Sequence, residues 1–195
     1  MDTRPKLFRY IILIPHRDAL KPLEEYRQKL FTTGIAGAHA FPLAAPLVEV
    51  SRPFNREELT ELARNIRNST KETDGKITSG CIAPAGYPGK FPFFGPQLSF
   101  LLKESIFPST TRPKILYTIS PPVLCASLMD PKTIHGGTLS FEEAPVLSFR
   151  AASLANLAIR PIADEEYSFE WKISPPVWLP NLHARHYGKL YSYFR

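Results

Sequence analysis

Cysteine is nearly missing from this chain. The two present, Cys81 and Cys125, lie in apolar surroundings and lack metal-ligand spacing. Buried, reduced thiols are therefore expected, and no metal centre is read. Long apolar runs are also absent. The N-terminal run Tyr10 to Ile14 falls far short of the ~20 residues that cross a bilayer. No small-residue cleavage site follows a long apolar core, so no signal peptide is read; a cytoplasmic protein with no membrane partner is expected. There is no phosphate-binding loop, dinucleotide glycine fingerprint, nucleophile-elbow serine or zinc-finger spacing. No cofactor is implied. Internal repeats and low-complexity tracts are missing too.

What is abundant is proline. The chain has 20 prolines in 195 residues, roughly double the ~5% usual frequency. Several sit in pairs or beside glycine (Pro121-Pro122, Pro175-Pro176, Gly95-Pro96), which favours rigid turns and edge strands over long helices. With 44% hydrophobic residues, the length suits one domain over residues 1–195 with a proper core. The net charge of +6 favours acidic partners such as phosphates, nucleotides or RNA.

Residues Phe8 to Ile14 (FRYIILI) read as a buried strand ended by Pro15. Asp18 offers an N-cap, and Leu23, Tyr26 and Leu30 share one face, so the spacing predicts an amphipathic helix over 19–31. Pro22 is placed in its first turn, and Gly34 and Gly37 break it. His39 to Val50 reads as a strand, with Pro42 and Pro46 tolerable only at an edge or facing away from a partner. Asn55 and Glu58 form a capping box before a helical stripe of Leu59, Leu62, Ala63 and Ile66.

The rest is more broken. Ser69 to Lys76 reads as loop, Ile77 to Ala83 as strand, and Pro84 to Pro96 as a turn-rich flap. Gln97 to Leu102 is ambiguous, Ile115 to Ile119 reads as strand, residues 121–129 as a short helix and Asp130 to Gly137 as loop. Val146 to Ile159 and Tyr167 to Ile173 read as closing strands. The expected class is α+β: a mostly antiparallel sheet with two helices on one face.

Period-two alternation would put His39 and Phe41 on one strand face. Lining a cleft, His39 is a candidate general base or acid; the plain alternative is a strand-end histidine satisfied by backbone. Arg150 and Arg160 offer positive charge for a phosphate, or stand as solvated strand ends. The aromatics of GKFPFFGP would stack a base or cap the core. The basic, aromatic tail His183 to Arg195 suits single-stranded nucleic acid, or docks as a final strand. His183 and His186 would need further ligands to hold a metal.

The succession FRYIILIPH, helix, GAHAFPLAAPL, then a helix opening NREELTELARNI, is similar to the N-terminal half of the two-histidine phosphoesterases. These include the 2′-5′ RNA ligases and cyclic nucleotide phosphodiesterases. RAASLANLAIRPI (Arg150 to Ile162) followed by YSFEWKI resembles their second half. Such proteins carry paired His-x-Thr/Ser motifs that put an imidazole and a hydroxyl on one strand face, on both sides of a phosphodiester. Here His39 stands at the first histidine, Phe41 at the first hydroxyl, Ala151 at the second histidine and Ser153 at the second hydroxyl.

The resemblance implies two pseudo-symmetric lobes with helices outside and a central cleft. His39 and Ser153 would be the catalytic remnants, with Arg150, Arg160 and Phe41 as ligand-binding positions. It implies a degenerate member without the usual phosphodiesterase activity that binds a nucleotide, an RNA end or another phosphorylated ligand. The alternatives are an active phosphodiesterase using His39 with a non-standard partner (His16, His135, His183 or His186) and a protein-interaction module. Oligomeric state is left open.

Overall fold

The computed structural model describes residues 7–69, 74–82, 93–99, 106–118, 126–127, 148–162 and 169–179. Among them the chain begins β1 (Phe8–Pro15), α1 (Arg17–Thr32), a 3₁₀ turn (Ala36–His39), β2 (Ala45–Val50) and α2 (Arg56–Ser69). It continues β3 (Asp74–Ile82), β4 (Phe93–Ser99), a second 3₁₀ turn (Arg112–Lys114), β5 (Ile115–Thr118), β6 (Ala126–Ser127), β7 (Ser148–Pro161), β8 (Phe169–Ile173) and β9 (Val177–Trp178). The fold is α+β, with a curled sheet whose strands run in the order β5-β2-β1-β7-β3-β4-β6. Among the described residues every strand pair is antiparallel.

The run FRYIILI is apolar on both alternating faces because both are covered. Ile11 and Leu13 join the core under the helices, packing with Leu23, Tyr26 and Leu30 of α1 and Leu59, Leu62 and Ile66 of α2. Tyr10, Ile12 and Ile14 face the other way, into a second cluster with Phe41, Ala155, Leu157 and Ile159. Each such fully buried aliphatic side chain contributes ~1.5–3 kcal/mol relative to exposure. Both helices thus cover one face, and no helix among the described residues is long and apolar enough to cross a membrane.

The helix ends follow from local chemistry. Gly34 takes φ 94°, the left-handed conformation glycine adopts without a Cβ clash. Its N–H donates to the Phe31 carbonyl (2.9 Å), and Ile35 donates to Leu30 (3.1 Å). This two-bond stop closes α1, with Ile35 and Leu30 in the same apolar core. At α2, Asn55 Oδ1 accepts the Glu58 N–H (2.9 Å), and Glu58 Oε2 accepts the Asn55 N–H (2.8 Å). The expected capping box forms. The start of α1 differs: it begins at Arg17, so Asp18 lies within the helix and Pro22 sits beyond the first turn.

Three other expectations change. The strand placed over 39–50 starts only at Ala45, because residues 36–39 wind into a 3₁₀ turn. The guanidinium of Arg27 holds this connection by donating to the Phe41 carbonyl at 2.5 Å, while Glu24 grips its other nitrogen. Phe41 is thereby tied to α1 instead of a strand neighbour. Residues 93–96 of the turn-rich stretch belong to β4, and the helix placed at 121–129 gives way to a two-residue strand at Ala126–Ser127. The remaining parts of those stretches, the loop 130–137, His135 and the tail 183–195 lie outside the described residues.

Pro46 is tolerated in β2, although β2 lies between β1 and β5. The β1 register shifts between Ile11 and Ile12, next to Pro46, and β5 pairs only with Val48 to Val50. A residue without an N–H therefore falls at a bulge, outside the β5 ladder.

Candidate ligand cavity at Ser153

β7 is the long strand that organises the site. One edge pairs with β1 from Ala151 to Ile159. The other is shared in sequence by β3 at Ser148–Arg150, β9 at Ser153–Leu154 and β8 at Leu157–Pro161. Between β8 and β9 the chain turns through Ser174, Pro175 and Pro176. A cavity of about 350 Å³ opens where β7, β1 and this segment meet.

Ile14, Ser153 and Trp178 form one row across its floor, as direct neighbours in the β1–β7 and β7–β9 ladders. Trp171 and Ile173 of β8 and the Pro175-Pro176 pair complete the walls, with Lys172 and Ser174 also lining it. Ser153 is only 1% exposed, and its hydroxyl has no hydrogen-bond partner among the described residues. Its free side is the cavity.

The sequence-derived candidates separate in space. His39 is exposed at the end of its 3₁₀ turn, with its ring edge-on to Phe31 at 5.1 Å and 62°. It does not line the Ser153 cavity. Phe41 does reach the inner sheet face, where its ring meets Phe169 at 4.7 Å and shares a cluster with Ile14. Ile14 also lines the cavity, so Phe41 and Ser153 belong to one surface. Arg160 lies on the opposite face: its even spacing puts it on the side of Leu154, which packs under the helices, and it stands exposed across from Glu170. The backbone of Arg150 pairs with Asp74 in the β3–β7 ladder.

β2, whose residues are APLVEV, carries neither histidine nor hydroxyl, and β7 carries Ser148 and Ser153 but no histidine. No family model, curated protein or solved structure matches this chain. Function must therefore be read from the cavity.

That cavity is apolar and nearly uncharged. Among the described residues Lys172 is the only ionisable one lining it, and it is exposed. Deeper on the same sheet face, Tyr10 is buried opposite Glu49 in the β1–β2 ladder. Burial drives the Tyr10 phenol far above its ordinary pKa, and the Glu49 carboxylate adds to the shift. Among the described residues, no cluster of three or more His, Cys, Asp or Glu side chains could hold a metal.

A second cavity of about 440 Å³ lies across the Ser174–Trp178 segment, lined by Phe54, Arg56, Leu59 and Asn156. The same segment walls both. Sequence patterning places Trp171 only within a strand and does not point to the tryptophans as a site. The available signal was that both of the chain's tryptophans flank Pro175-Pro176 within eight positions, Trp171 to Trp178.

Proposed function

We propose that this protein binds a ligand without performing the usual two-histidine reaction, and that a nucleotide, an RNA end or another phosphorylated molecule docks at the Ser153 cavity. The observation carrying this reading is the buried, unpartnered Ser153 hydroxyl between tryptophan walls, with no imidazole lining the cavity among the described residues. Two-sided proton transfer on a phosphodiester needs a base and an acid, and losing one member typically costs ~10²–10⁴-fold. His39 packs edge-on against Phe31 and does not line the cavity. The excess of basic residues favours anionic partners over neutral ones in approach.

The test is a pair of measurements on the full chain. Nucleotides and short RNA ends are titrated against intrinsic tryptophan fluorescence, and 2′,3′-cyclic nucleotides and 2′-5′-linked RNA are assayed for turnover. Binding without turnover, unchanged in His39→Ala, is expected. Turnover abolished by His39→Ala would instead establish an active phosphodiesterase.

A further inference from the structure

We infer that the part of the ligand entering the Ser153 cavity is an uncharged heteroaromatic ring, and that any phosphate stays outside. This rests on the reading of the cavity as a ligand site and narrows what fills it.

The size comes first. At about 350 Å³ the cavity sits at the small end of the ~300–1,000 Å³ range of small-molecule pockets, which suits a ring system better than a whole nucleotide. The walls come second. Trp171, Trp178, Pro175, Pro176, Ile14 and Ile173 present flat or apolar surfaces, the kind on which planar rings stack. Charge comes third. A phosphoryl group taken inside would need paired cations or several donors, and among the described residues the lining holds one exposed lysine and no arginine.

Lys172 also lies beside Ala158 and Arg9 in consecutive ladders, with Arg160 two residues along β7. This places its register position on the face opposite Trp171 and Ile173. Among the described residues lining the cavity, the buried polar side chain is that of Ser153, at the foot of the Trp178 wall. One hydroxyl matches one ring-edge nitrogen or carbonyl. A purely aliphatic occupant would leave it unsatisfied.

Both of the chain's tryptophans line this cavity, so intrinsic fluorescence reports directly on its occupancy. The full chain is titrated with adenosine, guanosine, uridine, their 5′-monophosphates, quinoline, ribose 5-phosphate and inorganic phosphate, with calorimetry in parallel. At least one nucleoside should bind, with its monophosphate within about threefold, because an exposed lysine in water adds little. Ribose 5-phosphate and phosphate should not bind. Trp171→Ala should weaken the nucleoside about tenfold. Trp171 is 39% exposed, so its loss should leave the fold intact, and Trp178 remains as reporter. Ser153→Ala should weaken the nucleoside and quinoline alike, each several-fold, because each offers a ring-edge acceptor to the hydroxyl.

Binding of ribose 5-phosphate without any nucleoside overturns the ring assignment and keeps the phosphorylated-ligand reading. Binding of quinoline with no nucleoside or nucleotide keeps the ring and overturns that reading. A Trp171→Ala protein that binds nucleosides unchanged overturns the ring site, and failure of every probe overturns both.

Discussion

Asn156 binds both polar groups of the Phe54 backbone, 102 positions earlier in the chain. Its Oδ1 accepts the Phe54 N–H at 2.7 Å, and its Nδ2 donates to the Phe54 carbonyl at 2.9 Å. The backbone of Asn156 meanwhile exchanges bonds with Ser174: its N–H donates to Ser174 Oγ, and its carbonyl accepts the Ser174 N–H, both at 3.0 Å. One residue in β7 thus joins the lead-in to α2 and the segment that walls the ligand cavity.

Asn156→Ala should destabilise the protein by about 2–3 kcal/mol, because it strands a partly buried N–H and C=O that the amide satisfied. Urea unfolding checks this. A loss below about 0.5 kcal/mol would show that water replaces the amide freely.

Asn55→Ala should cost about 1 kcal/mol, the usual worth of a side-chain N-cap. Glu58→Gln can keep an oxygen for the Asn55 N–H, but it loses the ion pair from Glu58 Oε1 to the Lys114 Nζ. Lys114 is buried beside the Phe54 ring, and burial followed by the nearby Arg52 charge pushes its pKa down. Removing the carboxylate should lower it further. Comparing the two variants by urea unfolding against pH separates the effects: only Glu58→Gln should change the alkaline limb.

Tyr10 gives stability a pH dependence of defined sign. The unfolded phenol releases its proton near its ordinary pKa of ~10, while the buried one retains it well above. Above about pH 10 the unfolded state therefore binds fewer protons. Stability then falls by up to ~1.4 kcal/mol per pH unit from this group. Tyr10→Phe should remove that increment, so the gap between variant and wild type should move in the variant's favour from about pH 9 to 11. Parallel curves would show that Tyr10 ionises freely in the fold.

His39→Ala and Ser153→Ala should both leave stability nearly unchanged, within about 0.5 kcal/mol, for opposite reasons. His39 is a surface ring, and Ser153 is a buried hydroxyl whose removal leaves no protein partner unsatisfied. Thermal and urea unfolding test both, and a large loss at Ser153 would mean its hydroxyl is bonded within the protein.

Strong periods were legible and tertiary constraints were not. β1, α1, α2, β7 and β8 follow from alternation, helical spacing and caps written locally in the chain. β2 was placed six residues too early because GAHAFPL looks like any apolar strand. What bends it away is a buried arginine two turns up α1, which bonds to Phe41. Gly95 and Pro96 made β4 look like a turn, yet Pro96 pairs with Cys81 beside a register shift where a missing N–H is tolerated. Ser153 stood out as a hydroxyl on a strand. Its cavity did not, since its walls come from β1, β7, β8 and β9 together.

The position of β1 has a consequence for synthesis. One of its edges is covered by β2, its early neighbour, but the other pairs with β7, from Phe8–Ile159 to Pro15–Ala151. A ribosome making this chain releases β1, both helices and β2 long before the strand that completes them. Until β7 emerges, the most apolar strand carries an open ladder, the kind of edge that invites pairing with another nascent chain. Folding is therefore bound to the last third of the chain, and truncation before β7 leaves an aggregation-prone fragment rather than a smaller working protein.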